Sequence, residues 1–334
     1  MQKNRTKNSV AKGLAVAAGL GLLAAGGGTA QADPTGQPTY RALAGVGSDT
    51  TQGVMNAISN AVMLNGQKAI GSYDATGSAT INTKADTHCQ GLNRPNGSGA
   101  GRTTLLAQQG LPYNCVDFSR SSSLDLSAAS TSLTYVPFAV DGVTYAVSAG
   151  STLPMDLAVS DLHLIYTCDP GLMGAGPNYT YHPLLPQAGS GTRKFWESVV
   201  GITEADVAAG HYPCISDTKG GKPIEEHDGR VLDTNSLVPF SIAQYIAQES
   251  TVLADIRGTA QLGNINGVPS LLLNPGAAAT RDVYNVIPTA KVATSPWSDV
   301  FVGPNSLVCQ QSAIIKQYGF GVHTSCGDTS KTTG

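Results

Sequence analysis

Several classes of function are argued against by what this chain lacks. It has no basic excess: 20 Lys and Arg stand against 23 Asp and Glu, and only 13% of residues carry charge. Proteins that neutralise a phosphate backbone show the opposite balance, so nucleic acid is not an expected partner. Its six cysteines form no Cys-x-x-Cys and no Cys/His cluster at ligand spacing, which argues against zinc, and no metal or cofactor is expected. Ser190 lacks the strand context of a serine-hydrolase elbow and its G-x-S-x-G spacing, with Ala188 and Thr192 where the glycines would stand, and Gly-Ser-Gly-Thr lacks the Lys-Ser/Thr ending of a P-loop. No repeat, heptad or low-complexity block occurs before the polar tail after Cys326.

What is present begins with an address. Lys3, Arg5, Lys7 and Lys12 precede an apolar run from Gly13 to about Ala25 that ends in Ala30-Gln31-Ala32. This is the pattern of an export signal with an A-x-A cleavage site, and the run is shorter than the ~20 residues of a membrane span. A signal peptide over 1–32 and a secreted chain, extracellular or periplasmic, are therefore expected. No cysteine precedes Cys89, so the signal lacks the residue that lipoprotein processing needs. Loss of four basic residues and no acid takes the net charge from −3 to −7. Such a protein repels anions at long range, so an anion must be held locally, by a few arginines and backbone amides in a small buried site. All six cysteines lie in the exported part, where an even count reads as disulfides. Sequence neighbours are the expected pairs, Cys89–Cys115, Cys168–Cys214 and Cys309–Cys326, because each brackets one structural unit.

About 300 residues remain after the signal, more than one core usually serves, so two lobes are expected. Leu43–Gly47 reads as a buried strand ending in a glycine turn, and Thr51–Leu64 places Val54, Ile58, Ala61 and Val62 at helical spacing. A second glycine loop, Arg94–Arg102, runs into a short helix, and Val116–Ser123 reads as a strand end followed by a polar turn. Tyr135–Val147 is β-rich with one turn at Asp141-Gly142. Leu157–Tyr166 reads as a helix capped by Ser160 or Met155-Asp156, and Ser236–Gln248 as a strand continuing into a helix. Alternating strands and helices imply an α/β sheet, with ligands at the carboxyl ends of its strands.

Four loops share one chemistry: Gly45-Val-Gly-Ser-Asp-Thr-Thr51, Asn96-Gly-Ser-Gly-Ala-Gly101, Ser119-Arg-Ser-Ser-Ser123 and Gly189-Ser-Gly-Thr-Arg193. Each offers amides and hydroxyls, as an anion at a helix start requires. Arg120 and Arg193 could each donate two parallel bonds to an oxyanion. A single such loop fits a linker or an ordinary N-cap equally well. Asp49 reads as a site carboxylate or as a helix N-cap, and Arg193 as a site cation or a solvated first-turn residue. The scattered histidines, and the Glu225-Glu226-His227-Asp228 run, read as exposed polar loops.

Together the four loops resemble those of the phosphate-binding proteins of ABC importers, which have the type II periplasmic-binding-protein fold. The likeness runs over most of 40–330, with Gly45–Thr51, Gly97–Gly101, Asp117–Ser122 and Gly189–Thr192 matching the family's four ligand loops. Leu157–Tyr166 and Leu237–Tyr245 resemble its lobe-two helix and its returning segment. The resemblance implies an α/β fold of two lobes joined by two crossovers, with lobe one over 38–137 and 240–330 and lobe two over 138–239. Hinge strands would lie near Val136–Val140 and Leu237–Ser241. It implies a monomer that binds phosphate or a similar oxyanion, hands it to an importer permease and is not an enzyme. A free scavenger, sensor or adhesive protein on the same fold, or a phosphatase-like hydrolase, are the rival readings. Ser48, Asp49, Thr50, Ser98, Ser121, Ser122, Ser190, Gly191 and Thr192 would contact the ligand. Two positions depart from the family: its ligand-facing acid falls on Ser122, and its arginine on Pro186. Arg120 or Arg193 is therefore expected to supply the cation, and Asp49 the acceptor for a ligand proton.

Overall fold

Strand burial organises the molecule. The computed structural model describes residues 33–34, 38–126, 132–271 and 279–333; the expected signal over 1–32 lies outside them. Leu43–Gly47 (β1) is buried at every position, as a strand covered on both faces must be. It pairs in parallel with Ile70–Ser72 (β2) and Phe118–Ser121 (β3). A 16-residue strand, Leu133–Ser148 (β4), follows, then His182–Pro183 (β5), Ser236–Ser241 (β6), Ala260–Leu262 (β7), Thr280–Pro288 (β8) and Gly321–Val322 (β9). The sheet order is β5-β6-β4-β8-β3-β1-β2, with β7 and β9 also paired to β4. This is a mixed α/β sheet.

β4 joins two cores. Val136, Phe138 and Ala139 pack with Val54, Ile58, Phe118 and Phe301, whereas Val143, Tyr145 and Val147 pack with Leu162, Trp196 and Leu237. The strand thus leaves one lobe and enters the other, and β8, antiparallel to its first part from Leu133 to Gly142, returns the chain. The turn expected at Asp141-Gly142 is absent. Asp141 is fully buried, and its carboxylate accepts bonds from Ser241 Oγ (2.9 Å) and the Ala243 amide (3.1 Å) while pairing with Arg281. Those bonds keep the Asp-Gly step extended. Lobe boundaries shift as well: β7 pairs with Ala146–Ser148 and Asn264-Ile265 with Asp156-Leu157. Residues 260–265, expected in lobe one, therefore pair with the second part of β4 and with the strand at Asp156-Leu157. Leu237–Ser241, expected as a hinge, pairs with Val143–Val147 in that same second part.

Side chains satisfy free amides at the starts of three of the five long helices. Gln52–Ala61 (α1) follows β1 and buries Val54, Met55 and Ile58. Ser98–Gln108 (α2) follows the second glycine loop. In Val159–Tyr166 (α3) the cap is Asp161, which accepts from the Ala158 amide at 3.0 Å, rather than Ser160 or Asp156. Ser190 Oγ caps Gly191–Val200 (α4) by accepting from the Arg193 amide at 3.0 Å, a bond worth ~1 kcal/mol. Ile242–Glu249 (α5) is capped in the same way by Ser241. The three cysteine pairs are those expected, with Cα separations of 5.1, 5.7 and 5.8 Å, inside the usual disulfide range.

Close approach of α2 to β1 sets the position of the first ligand loops. A Cβ on Gly101 would lie 2.5 Å from both Gly47 Cα and Ser119 Oγ, so only glycine fits. Gly101→Ala is expected to destabilise the fold by about 1–3 kcal/mol, read as a lower denaturation midpoint; an unchanged midpoint would refute this packing.

Candidate functional site

All four sequence-identified loops meet. Ser48, just after β1, donates its amide to Arg120 O (3.0 Å) and its hydroxyl to Ser122 Oγ (3.2 Å). Ser98, at the start of α2, accepts from the Ser122 amide at 3.0 Å, and the two hydroxyls lie 3.4 Å apart. From the second lobe, α4 brings Gly191 against these serines: a Cβ there would lie 2.3 Å from Ser122 Oγ and 2.4 Å from Ser98 Oγ. The Gly99 amide donates to Gly189 O at 3.0 Å, so the loops bond across the cleft. Ser121 turns aside, its hydroxyl donating to Ser123 O at 2.7 Å. A cavity of about 570 Å³ opens beside Ser98 and Ser190, with Arg102, Asp125 and Lys194 on its wall.

The arginines do not take the expected place. Arg120 is fully buried behind the first loop, donating to Ser48 O (3.1 Å), Gly45 O (3.3 Å), Gly47 O (3.4 Å) and Ser72 Oγ (3.0 Å). It gathers the loop's carbonyls and places a cation behind it. Burial lowers its pKa to about 10 despite the opposing pull of Asp74 and Asp49. Arg193 is held by Glu204 (2.7 Å), Asp217 (2.9 Å), Glu197 (3.1 Å) and Pro186 O (3.1 Å). Both guanidinium groups spend their donors on their own scaffold, because a buried cation must be fully paired.

The cation that reaches both Thr50 and Thr192 is Arg281, on β8. Directly opposite Asp141 in the β4–β8 ladder, it donates to that carboxylate from Nε (3.1 Å) and Nη2 (2.9 Å). Nη2 also reaches Thr192 Oγ1 (2.9 Å) and Thr50 Oγ1 (3.5 Å). With their lone pairs facing the guanidinium, both threonine hydroxyls send their protons onward to one atom, Glu226 Oε2; the Thr192 bond is 2.8 Å. Thr50 comes from lobe one, Thr192 from lobe two, and the carboxylate sits between them.

Residues 225–228 are thus not the exposed loop expected. Glu226 is only 1% exposed and His227 is buried. Asn96 Nδ2 donates to Glu225 Oε2 at 3.0 Å, and His227 Nε2 lies 2.8 Å from Asp49 Oδ2. Asp49 therefore neither caps α1, whose cap position is Thr51, nor keeps Oδ2 open for a ligand proton. Burial alone would lower the His227 pKa, but the Asp49 carboxylate, with Glu226 and Asp141 behind it, carries it above its ordinary value. Asp141, Glu226, His227 and Arg281 escaped the sequence reading. A signal existed for two of them: Asp141 and Arg281 are charges inside strongly apolar strands, and buried charges need partners.

No family model and no curated protein matches the chain. Solved structures do. A Clostridium perfringens protein assigned as a phosphate ABC transporter substrate-binding protein, solved with bound phosphate, superposes with a TM-score of 0.52 at 15% identity. The match covers 84% of this chain and 99% of that one. An ABC-type phosphate transport receptor from Vibrio cholerae gives 0.52 at 14%, covering 84% and 100%. The chain has the type II periplasmic-binding-protein fold. At these identities the likeness establishes architecture alone.

Two expectations follow. Because the His227 pKa is raised, its pairing with Asp49 stabilises the fold fully below about 6.5, the ordinary histidine value, and that contribution fades as pH rises through the elevated value. The Tm of the wild type should accordingly fall relative to His227→Gln across that rise; parallel curves would refute it. Arg281→Met, which strands Asp141 as an unpaired buried charge, should cost about 3–5 kcal/mol in chemical denaturation, and adding Asp141→Leu should recover much of it. Additive losses would show the pair is not coupled.

Proposed function

We propose that this protein binds a small tetrahedral oxyanion, phosphate foremost, in the interlobe cleft outside the cytoplasm after signal removal near Ala32. One observation carries the reading. Glu226 Oε2 is an oxyanion held between Thr50 and Thr192, hydroxyls from the two lobes that are backed by one guanidinium. Donors arranged to solvate a dehydrated carboxylate oxygen also suit a phosphate oxygen. Ser48, Ser98 and Ser122 add hydroxyls beside them, and the start of α4 adds amides and the positive end of its dipole. That a protein of this fold from Clostridium perfringens was solved with phosphate supports the choice of ligand.

Selectivity rests on hydrogen bonds more than on charge, because Arg281 is already matched by Asp141. Asp49, whose Oδ2 is held by His227, still offers Oδ1 as an acceptor beside the site, and such an acceptor favours an anion that still carries a proton. Hydrogen phosphate can donate to it, whereas sulfate leaves acceptor facing acceptor. Delivery of the ligand as a monomer to an importer permease belongs to the same proposal.

Titration of the secreted chain with phosphate, sulfate and molybdate by calorimetry decides the reading. Phosphate should bind most tightly of the three. Heat from none of the three anions, or sulfate as the tighter ligand, overturns it.

A further inference from the structure

Glu226 occupies the place where the cleft is best equipped to hold an anion, and it belongs to the chain itself. Its loop approaches from the second lobe, just after Lys222-Pro223, whose strand pairs with Thr218-Lys219 at the exposed surface. Three successive side chains cross to lobe one: Glu225 to Asn96, Glu226 to Thr50, and His227 to Asp49. The backbone of His227, at φ 52°, takes a conformation that side chains other than glycine rarely adopt. These bonds hold the loop inside the cleft against that local cost.

The grip on Glu226 is one-sided. Oε2 receives both threonine protons, while among the described residues the buried Oε1 has no hydrogen-bond partner, and neither has Arg281 Nη1. A tetrahedral anion, with more oxygens, can engage donors that Glu226 leaves idle. Both cannot stay together: Asp49, Asp141, Glu225 and Glu226 already crowd around Arg281, His227 and, behind the Ser48 loop, Arg120. A further anion in contact with an ionised Glu226 in this buried place would be strongly disfavoured.

We propose that Glu226 is an internal ligand: it draws the lobes together in the absence of solute, and an external oxyanion binds by displacing it. This rests on the oxyanion reading of the site. It implies that phosphate affinity is set by competition with a tethered carboxylate, so the wild type responds only when free phosphate is abundant.

The test compares the secreted wild-type chain with Glu226→Ala and Glu226→Gln, using phosphate calorimetry and small-angle scattering without added anion. Both variants should bind phosphate at least tenfold more tightly than wild type. Glu226→Ala should also show a larger radius of gyration, which acetate, a free carboxylate, returns to the wild-type value while competing with phosphate. Weaker phosphate binding in both variants overturns the proposal, since Glu226 would then be a ligand contact rather than a competitor. Unchanged affinity with an unchanged radius overturns it too. If no chain binds phosphate, the oxyanion reading fails by itself, and the radius of Glu226→Ala still decides whether Glu226 holds the cleft shut. Should the alanine variant not fold, the near-isosteric glutamine variant supplies both measurements.

Discussion

The buried pair of Asp141 and Arg281 is the constraint on which the rest of the structure depends. The two residues face each other on the strands that carry the chain out of one core and back from the other. Neither charge could be buried there alone, because desolvation costs several kcal/mol per ion. Asp141 therefore collects Arg281, Ser241 and the start of α5, which keeps β4 extended through an Asp-Gly step. Arg281 turns its remaining reach toward Thr50 and Thr192, one from each lobe. The crossover between the cores and the candidate site are thus one hydrogen-bonded network. A change in the separation of the lobes must alter the donors in the cleft.

Around that pair, charge is distributed by scaffold need before ligand need. Arg120 is committed to the carbonyls of the first loop and Arg193 to three carboxylates of lobe two. Each acts at one remove, by shaping a loop whose hydroxyls and amides face the cleft. The acidic loop at 225–228 shows the converse. Four consecutive charged or titratable residues look made for solvent, yet two of them are buried because lobe one offers Thr50 and Asp49 as partners. A site nearly balanced in charge fits a protein whose overall field repels anions.

Much of the framework was legible locally. Glycine turns followed by hydroxyls marked three of the four loops, because close approach at a helix start demands small residues wherever the rest of the chain lies; Gly191 and Gly101 show the demand directly. Strand and helix periodicity announced the α/β sheet, and the cysteine spacing matched the pairs formed. By contrast, an Asp-Gly dipeptide has a strong local preference for a turn, and that preference was overridden by a partner 140 residues away. Glu226 and Thr50 are separated by 176 residues, and nothing near either one in the chain foretells the contact.

The sequence by itself therefore marked the hydroxyl-rich loops and the α/β alternation, since each depends on composition or on neighbours a few residues apart, while the cysteine pairs, 17 to 46 residues apart, were an expectation that the fold bore out. Tertiary structure alone decided which charges meet. Burial makes an ionised group find a partner anywhere in the fold, and which partner is near depends on how β4 and β8 cross between the cores. Those long-range pairings moved the cation from Arg120 and Arg193 to Arg281, and placed the carboxylate of Glu226 in the cleft.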